Sequence, residues 1–240
     1  CGIYNLRPIK INYDKNLTLN YKKLFNNISK KVSLIILANP NSPTGTIIDR
    51  TIMLEILKRT KKLKIPIVID EAYAGFYNAN YIKYINKFKN LIIIRTFSKS
   101  FGLAGLRAGY AVGSEQNIEL MNKFRPMYEI NSISCLAIEF LLNNISLVKK
   151  NIEQVEKSKK FLIKELTKLN IKYINTNANF FHIELGKNVK KFEKIFIKSG
   201  ILFRKGPGVK GFEKYSRFGL GSVKQMKKVL KLVKNVHKKN

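Results

Sequence analysis

Three short apolar runs constrain the fold most strongly, because each ends in a polar motif. The runs are Leu34 to Leu37, Ile67 to Ile69 and Leu91 to Ile94. Their length and nearly continuous Ile and Leu content are typical of strands buried on both faces of a parallel sheet. A helical pattern from Arg50 to Lys62 separates the first two runs. Strands alternating with helices predict an α/β fold, in which ligands bind at the carboxyl ends of the strands.

The segment after the third run points to a reactive lysine. Lys99 lies among hydroxyls and glycines in the sequence RTFSKSFGLAGLRAGY, from Arg95 to Tyr110. A lysine beside apolar chain loses its proton more easily and can attack a carbonyl group to form a Schiff base. The nearby hydroxyls of Thr96 and Ser98 suit an anion. Taken alone, the same segment also fits a solvated surface loop.

Two further polar motifs end the other runs. The first is the sequence NPNSPTG from Asn39 to Gly45, whose Pro, Asn and Gly content favours a turn. In the second, Asp70 ends a run and Tyr73 follows in the sequence DEAY. A carboxylate in this place could also cap a helix or pair with a lysine. Three such motifs in this order, each at the carboxyl end of a strand, are hard to explain by chance.

Together the three motifs resemble the pyridoxal-phosphate-dependent aminotransferases of fold type I, and within them the branch that contains histidinol-phosphate aminotransferase. The resemblance runs from about Ile36 to Gly221. It implies an α/β fold with an incomplete large domain, 1–150, whose sheet is mixed and mostly parallel, and a small α+β carboxy-terminal domain, 151–240. It also implies pyridoxal 5′-phosphate as cofactor, a small-molecule amino donor, a 2-oxo acid acceptor and a homodimer of the intact protein.

The same resemblance implies roles for the motif residues. Lys99 would hold the cofactor covalently and move a proton at the substrate Cα. Asp70 would pair with the pyridine nitrogen and keep it protonated, while Tyr73 would donate a hydrogen bond to the 3′ oxygen. The family's ligands to the cofactor phosphate fall on Thr96, Ser98 and Arg107.

The NPNSPTG turn departs from the family pattern at one position. Many relatives have Asn directly before Pro-Thr-Gly, as a second contact to the cofactor's 3′ oxygen. This chain has Ser42 there, with Asn41 before it. Either side chain could make that contact, so both are candidate cofactor ligands.

Candidate substrate residues lie nearer the carboxyl terminus. Arg217, in the sequence YSRFGLG, resembles the arginine that binds the substrate carboxylate bidentately in this family. Arg204 matches a frequent family arginine and could hold a substrate phosphate or a second carboxylate. Asn179 falls on a family motif near cofactor or substrate, although a turn before a strand fits it equally. His182 is predicted to be a strand residue rather than a catalyst.

Periodicity predicts the remaining elements. A strand from Arg107 to Val112, antiparallel in relatives, precedes a helix from Glu115 to Phe124. From about Asn151 a long amphipathic helix begins, and a last helix starts near Ser222. Between them lie strands near Lys172 to Ile174 and Phe180 to Glu184, and a helix around Val189 to Lys198. The inward positions of the two long helices are predicted to be Ile152, Val155, Leu162, Leu166 and Leu169, and then Met226, Val229, Val233 and Val236.

The composition of the chain bears on its binding partners and its cellular compartment. The chain carries 46 Lys and Arg against 15 Asp and Glu, a formal charge of +31, which ordinarily suggests nucleic acid or an anionic membrane. The lysines are spread along the whole chain, so we interpret the charge as a solvated surface and expect neither partner. Cys1 and Cys135 give no disulfide framework and no metal-binding spacing, which fits a cytoplasmic protein. No apolar run approaches the length of a membrane span.

The first motif begins at Asn39, with fewer residues before it than in full-length relatives. The sequence therefore suggests a carboxy-terminal fragment, inactive alone, whose absent part would hold a glycine-rich phosphate-binding turn and a tyrosine donated across the dimer interface. A lipid-anchored mature terminus at Cys1 is a competing explanation. Two alternatives to transamination stay open: decarboxylation of an amino-acid phosphate, and a basic binding module without turnover.

Overall fold

The computed structural model describes residues 5–78, 80–186 and 189–237, so Cys1 lies outside the described part. The helices are α1 (Tyr21–Asn27), α2 (Arg50–Leu63), α3 (Glu115–Asn122), α4 (Ser132–Asn143), α5 (Ile145–Lys168), α6 (Val189–Lys198) and α7 (Val223–His237). The strands are β1 (Ile35–Ala38), β2 (Ile67–Asp70), β3 (Leu91–Thr96), β4 (Gly109–Val112), β5 (Tyr173–Ile174), β6 (Phe180–Glu184), β7 (Arg204–Lys205) and β8 (Tyr215–Gly219).

The first sheet has the order β1-β2-β3-β4, with the first three strands parallel and β4 antiparallel to β3. This confirms the mixed, mostly parallel sheet. The fourth strand begins at Gly109 rather than at the predicted Arg107. Arg107 instead follows a 3₁₀ turn, Ala104–Leu106, and has a positive φ of 55°, a backbone conformation that cannot continue a strand.

Strand register places the three polar motifs along one edge of the first sheet. Ala38 lies opposite Asp70, and Asp70 lies opposite Ile94, so the strands end side by side. Helix α2 covers this sheet and is capped by Asp49, whose Oδ1 accepts a hydrogen bond from Thr51 N (2.7 Å). The apolar pattern of this helix predicts Ile52, Ile56 and Leu57 on its buried face. Ile56 and Leu57 are fully buried, together with Met53 and Thr60, while Ile52 is only half-buried.

The second sheet is antiparallel, in the order β5-β6-β8-β7, and packs against α5, α6 and α7. Its core includes Leu162 and Leu166 of α5, as predicted. Leu169 was predicted to face inward and is 38% exposed, because the helix ends at Lys168 and the next residue leaves its buried face. Val236 was placed on the inner face of α7, and its side chain lies outside the described part of the structure.

Helix α5 joins the two sheets. It begins at Ile145, before the predicted Asn151, and therefore crosses residue 150. Its first turns contact the loop that carries Lys99, because Asn151 Nδ2 donates a hydrogen bond to Ser100 O (3.0 Å). Helix α4 precedes α5 and was not predicted from the sequence.

A large apolar surface lies around α3 and α4, which we call the α3–α4 apolar surface. Its most exposed side chains are Phe124 (86%), Met127 (87%), Tyr128 (90%), Ile133 (72%) and Leu136 (66%). Within the described residues, no single helix is both long and apolar enough for a membrane span; α4 and α5 meet that criterion only as a pair, bent by 82°.

Candidate functional site

Two adjacent carboxylates end β2 and have different environments. Asp70 is half-buried, and its Oδ1 accepts a hydrogen bond from Ala72 N (2.8 Å), which fixes the turn leading to Tyr73. Glu71 is buried and forms an ion pair with Arg95 (2.6 Å). Burial raises the pKa of Glu71, and the hydrogen bond from Arg95 opposes that rise. Glu71 therefore has a structural partner, whereas Asp70 lies at the edge where the strands end.

Lys99 is presented by a tight turn after β3. Gly102 has a φ of 75°, and its N–H donates to Lys99 O (3.1 Å), which closes the turn. Lys99 Nζ lies 5.5 Å from the centroid of the Tyr73 ring. The structure thus brings together two of the predicted catalytic residues from different strand ends.

The predicted phosphate ligands line one open cleft of about 410 Å³, at the end of β3 and the start of β4. Arg107 is exposed there, and its Nη1 donates to Ala104 O (3.1 Å). The Thr96 hydroxyl donates to Ala108 O (3.1 Å) and accepts from Ser98 N (3.1 Å). A contact from Thr96 to a phosphate would therefore require its present hydrogen bond to be exchanged, and Arg107 and Ser98 are the better-placed donors.

Ser42, rather than Asn41, lies among the candidate site residues. Ser42 Oγ is 3.5 Å from Tyr73 Oη, a long contact, and accepts a hydrogen bond from Arg217 Nη1 (3.2 Å). Asn41 Nδ2 instead donates to Thr44 Oγ1 (2.7 Å), within its own turn. Of the two side chains that the sequence left open, Ser42 is the one that contacts other candidate site residues.

Arg217 reaches this cluster from the second sheet. Its guanidinium carbon lies 5.0 Å from the centroid of Phe180, whose ring meets that of Tyr73 edge-on at 5.5 Å. Arg204 lies directly opposite Arg217 on the neighbouring strand β7. Directly opposed residues point to the same face of a sheet, so two guanidinium groups share this face and favour an anion.

Asn179 precedes β6, and its carbonyl oxygen accepts a hydrogen bond from Leu220 N (2.8 Å). That contact fits the strand-entry turn that was its alternative interpretation. Phe180 is a site residue that the sequence did not single out. It lies in a run of apolar strand residues, and only the folded chain shows that its ring touches both Tyr73 and Arg217.

His182 is the second residue that the sequence did not assign to the site. It is fully buried, and its Nε2 lies 2.9 Å from Pro43 O. The pKa of His182 is lowered to about 4, chiefly by burial and to a smaller extent by the charge of Arg217, while the hydrogen bond to Pro43 opposes the change. No local pattern could have revealed this contact, because the two residues are 139 positions apart.

The assembled residues can do three things chemically. A lysine can form a Schiff base, a strand-end carboxylate can stabilise a positive charge, and two arginine-containing regions can hold anions. Among residues 5–78, 80–186 and 189–237, no group of three His, Cys, Asp or Glu side chains is arranged to bind a metal ion.

Comparison with known proteins identifies a matching family and curated relatives. Residues 1–233 match the family described as aminotransferase class I and II. The histidinol-phosphate aminotransferase of Caldanaerobacter subterraneus subsp. tengcongensis is 34% identical over 223 residues, which cover 92% of this chain and 62% of that protein. The chain therefore spans about three fifths of the length of this curated relative.

Solved structures show the same fold. The histidinol-phosphate aminotransferase of Clostridium acetobutylicum superposes with a TM-score of 0.89 at 24% identity, covering 100% of this chain and 74% of that one. The histidinol-phosphate aminotransferase of Sinorhizobium meliloti, solved in complex with pyridoxal-5′-phosphate, superposes with a TM-score of 0.83 at 21% identity, covering 96% of this chain and 64% of that one.

Proposed function

The chain belongs to the aminotransferase class I and II family, and from that membership we propose that the intact protein is a pyridoxal-phosphate-dependent aminotransferase. It moves an amino group between a small-molecule amino donor, an amino acid or an amino phosphate such as histidinol phosphate, and a 2-oxo acid. The observation that carries the proposal is the position of Lys99, 5.5 Å from the ring of Tyr73. The intact protein is proposed to act as a homodimer.

The residues present fit pyridoxal phosphate. The cofactor carries a phosphate dianion, an aldehyde and a basic ring nitrogen, and the site offers a complementary group for each. Arg107 and Ser98 line the cleft at the end of β3 and would hold the phosphate. Lys99 is the amine for the aldehyde, and Asp70 is the carboxylate for the ring nitrogen. When bound, the cofactor supplies an electron sink for the charge that develops when the substrate Cα loses its proton.

The chain's own groups then have separate tasks. Lys99 holds the cofactor. Once the substrate has displaced its amine, that amine takes the proton from the substrate Cα and donates it to a carbon atom of the cofactor. Asp70 keeps the ring nitrogen protonated, because a carboxylate favours the charged form of a neighbouring base. Tyr73 and Ser42 present hydroxyl groups next to each other, 3.5 Å apart, as partners for the cofactor's 3′ oxygen.

Residues of the second sheet orient the substrate in this proposal. Arg217 presents a planar, bidentate guanidinium that suits a carboxylate, and its contact with Ser42 restrains its direction. Arg204, on the same face, is proposed to hold a second anionic group of the substrate. Asn179 is proposed to lie at the edge of this substrate region.

The proposal is tested at Lys99. Borohydride reduction of the intact protein with pyridoxal phosphate, followed by peptide mapping, is expected to place the pyridoxyl group on Lys99 and to lose it in Lys99→Arg. Lys83→Arg is the matched control, because Lys83 Nζ lies at a similar distance, 5.4 Å, over the ring of Tyr84 outside the site. Recovery of the label on a different lysine would refute the assignment.

Product analysis separates the two enzyme activities. With a carboxyl-labelled, amino-labelled donor, transamination is expected to transfer the amino label to the 2-oxo acid and to retain the carboxyl label in the product. Release of labelled carbon dioxide would indicate decarboxylation instead.

A further inference from the structure

His182 connects two parts of the candidate site. Its ring is fully buried on β6, directly opposite Arg217 on β8. Its Nε2 is 2.9 Å from the carbonyl oxygen of Pro43, in the turn that carries Ser42. Ser42 in turn accepts the hydrogen bond from Arg217. One imidazole therefore ties the turn to the strand pair that presents the substrate-binding arginine.

The partner of His182 determines its tautomer. A carbonyl oxygen can only accept, so Nε2 must carry the proton that it donates to Pro43. In the neutral ring Nδ1 is then an acceptor, and this buried atom has no hydrogen-bond partner among the described residues. Arg217, directly opposite on β8, is a cation and disfavours a second proton on the ring; Arg204 and the carboxylate of Glu184 lie farther along the same sheet face.

A purely structural role explains this histidine poorly. The neighbouring ring on the same strand face is Phe180, which meets His182 edge-on at 5.5 Å, so the slot is suited to an apolar side chain. A phenylalanine there would pack without burying an unsatisfied nitrogen, which costs stability. The bond to Pro43 is what an imidazole adds and a phenyl ring cannot.

The turn has a second anchor to the same part of the chain, but at its far end. Asn177 N donates to Gly45 O (2.8 Å), three residues beyond Ser42. Without the imidazole, the turn would keep its hydrogen bond at Gly45 but lose the one at Pro43, which is next to Ser42. The hydroxyl that restrains the guanidinium would then be free to shift.

We propose that His182 is a positioning residue for substrate binding: through its bond to Pro43 it holds Ser42 against Arg217 and so keeps the guanidinium aimed at the substrate carboxylate. The inference rests on the proposed function for the role of Arg217. It assigns to His182 no contact with substrate or cofactor.

Kinetics of the intact protein provide the first test. His182→Phe keeps a ring but removes the donor, and it is expected to raise the KM for the amino donor about fivefold, the effect of one lost hydrogen bond, while kcat changes less than about twofold. His182→Gln restores an N–H donor at a similar reach and should return KM to near the wild-type value. His237→Phe is the matched control, because His237 Nε2 makes the same kind of bond, 2.8 Å, to Glu184 O farther along β6.

A binding measurement separates this proposal from the proposed function. In the intact protein labelled with ¹⁵N-arginine, the Arg217 Nε–Hε signal is identified by its loss in Arg217→Lys and titrated with succinate, without cofactor. His182→Phe is expected to weaken this binding about fivefold, His182→Gln to restore it, and His237→Phe to leave it unchanged. Circular dichroism establishes that each variant is folded.

Equal succinate affinity in wild type and His182→Phe, failure of His182→Gln to restore it, or no response of the wild-type Arg217 signal would each overturn the positioning role. A proportional loss of kcat at unchanged KM would also overturn it. The proposed function fails by a different result, the absence of the pyridoxyl label from Lys99, so the two failures are distinguishable.

Discussion

At the scale of single residues, neighbouring side chains of the same chemical type have different environments. Asp70 and Glu71 are consecutive carboxylates, yet one lies at the sheet edge and the other pairs with Arg95 in the interior. Alternation along the end of β2 produces this difference, because successive side chains point to opposite faces. The sequence DEAY could not say which acid served the site, and only the resemblance selected Asp70.

Substitution of the two acids should separate their roles. Asp70→Asn is expected to leave the fold and the Lys99 adduct intact and to lower turnover by roughly 100-fold or more, because the ring nitrogen loses its charged partner. Glu71→Gln is expected to lower the free energy of unfolding by about 1–3 kcal/mol, since a buried group loses its ionic partner, with a much smaller effect on turnover. Near-normal turnover in Asp70→Asn would contradict the assignment.

The buried His182 should also make stability depend on pH. Its pKa is about 4 in the folded chain, below the ordinary 6.5, so the unfolded state binds more protons between these values. The contribution of the neutral ring to the free energy of unfolding is therefore complete above pH 6.5 and is lost as the pH falls towards 4. Relative to His182→Gln, which does not titrate, the wild type should lose about 2 kcal/mol of unfolding free energy between pH 7 and 4.5. Parallel urea-unfolding profiles for the two proteins would contradict this.

At the scale of elements, the turn from Asn41 to Gly45 is one of the places where the two sheets meet. It bonds to β6 through Pro43, to β8 through Ser42 and to Asn177 through Gly45. We propose a division of the chain near residue 150, between the two sheets, with α5 running across it. Contacts of this turn therefore belong to neither sheet alone.

A glycine pair tests how closely the turn fits the second sheet. Gly45 and Gly102 have nearly equal positive φ values, 74° and 75°, so alanine strains the backbone similarly at both. A Cβ at Gly45 would lie 2.2 Å from Thr176 Cβ, whereas one at Gly102 would have no neighbour within 4 Å. Gly45→Ala should therefore destabilise by about 1–3 kcal/mol more than Gly102→Ala in urea unfolding. Equal losses would show that the turn does not pack tightly there.

At the scale of the whole molecule, the chain leaves extensive apolar surface in contact with solvent. The α3–α4 apolar surface includes side chains that are 86–90% exposed, and on β1 Ile36 is 65% exposed. Among the described residues β1 pairs only with β2, so its outer edge presents free backbone groups. Exposed apolar surfaces of this size mark interaction sites or make a chain prone to aggregate.

The 240-residue chain on its own should therefore self-associate. Light scattering after size-exclusion chromatography is expected to show species larger than a monomer at micromolar concentration. Serine in place of Phe124, Met127 and Tyr128 should shift the distribution towards monomer, because it removes the most exposed part of that surface. A wild-type chain that stays monomeric would contradict the expectation.

The sequence predicted the parts of the fold that have a local pattern of apolar and polar residues. Buried parallel strands appear as continuous apolar runs, and α5 shows its inner face through Leu162 and Leu166. Helix α4 was missed because its sequence, SISCLAIEFLLN, is apolar nearly all round and has no polar face to define a period. The bonds from His182 and Arg217 to the turn were also missed, because residues 139 and 175 positions apart leave no local signal.

The contact between Ser42 and Arg217 also determines when the site can exist during protein synthesis. The two residues are 175 positions apart, so a ribosome adding about 5–20 residues per second completes Arg217 roughly 9 to 35 s after Ser42. Lys99 is made in that interval, before the strand that would select a substrate carboxylate. A nascent chain thus carries the lysine proposed to hold the cofactor before it carries the arginine proposed to select the substrate.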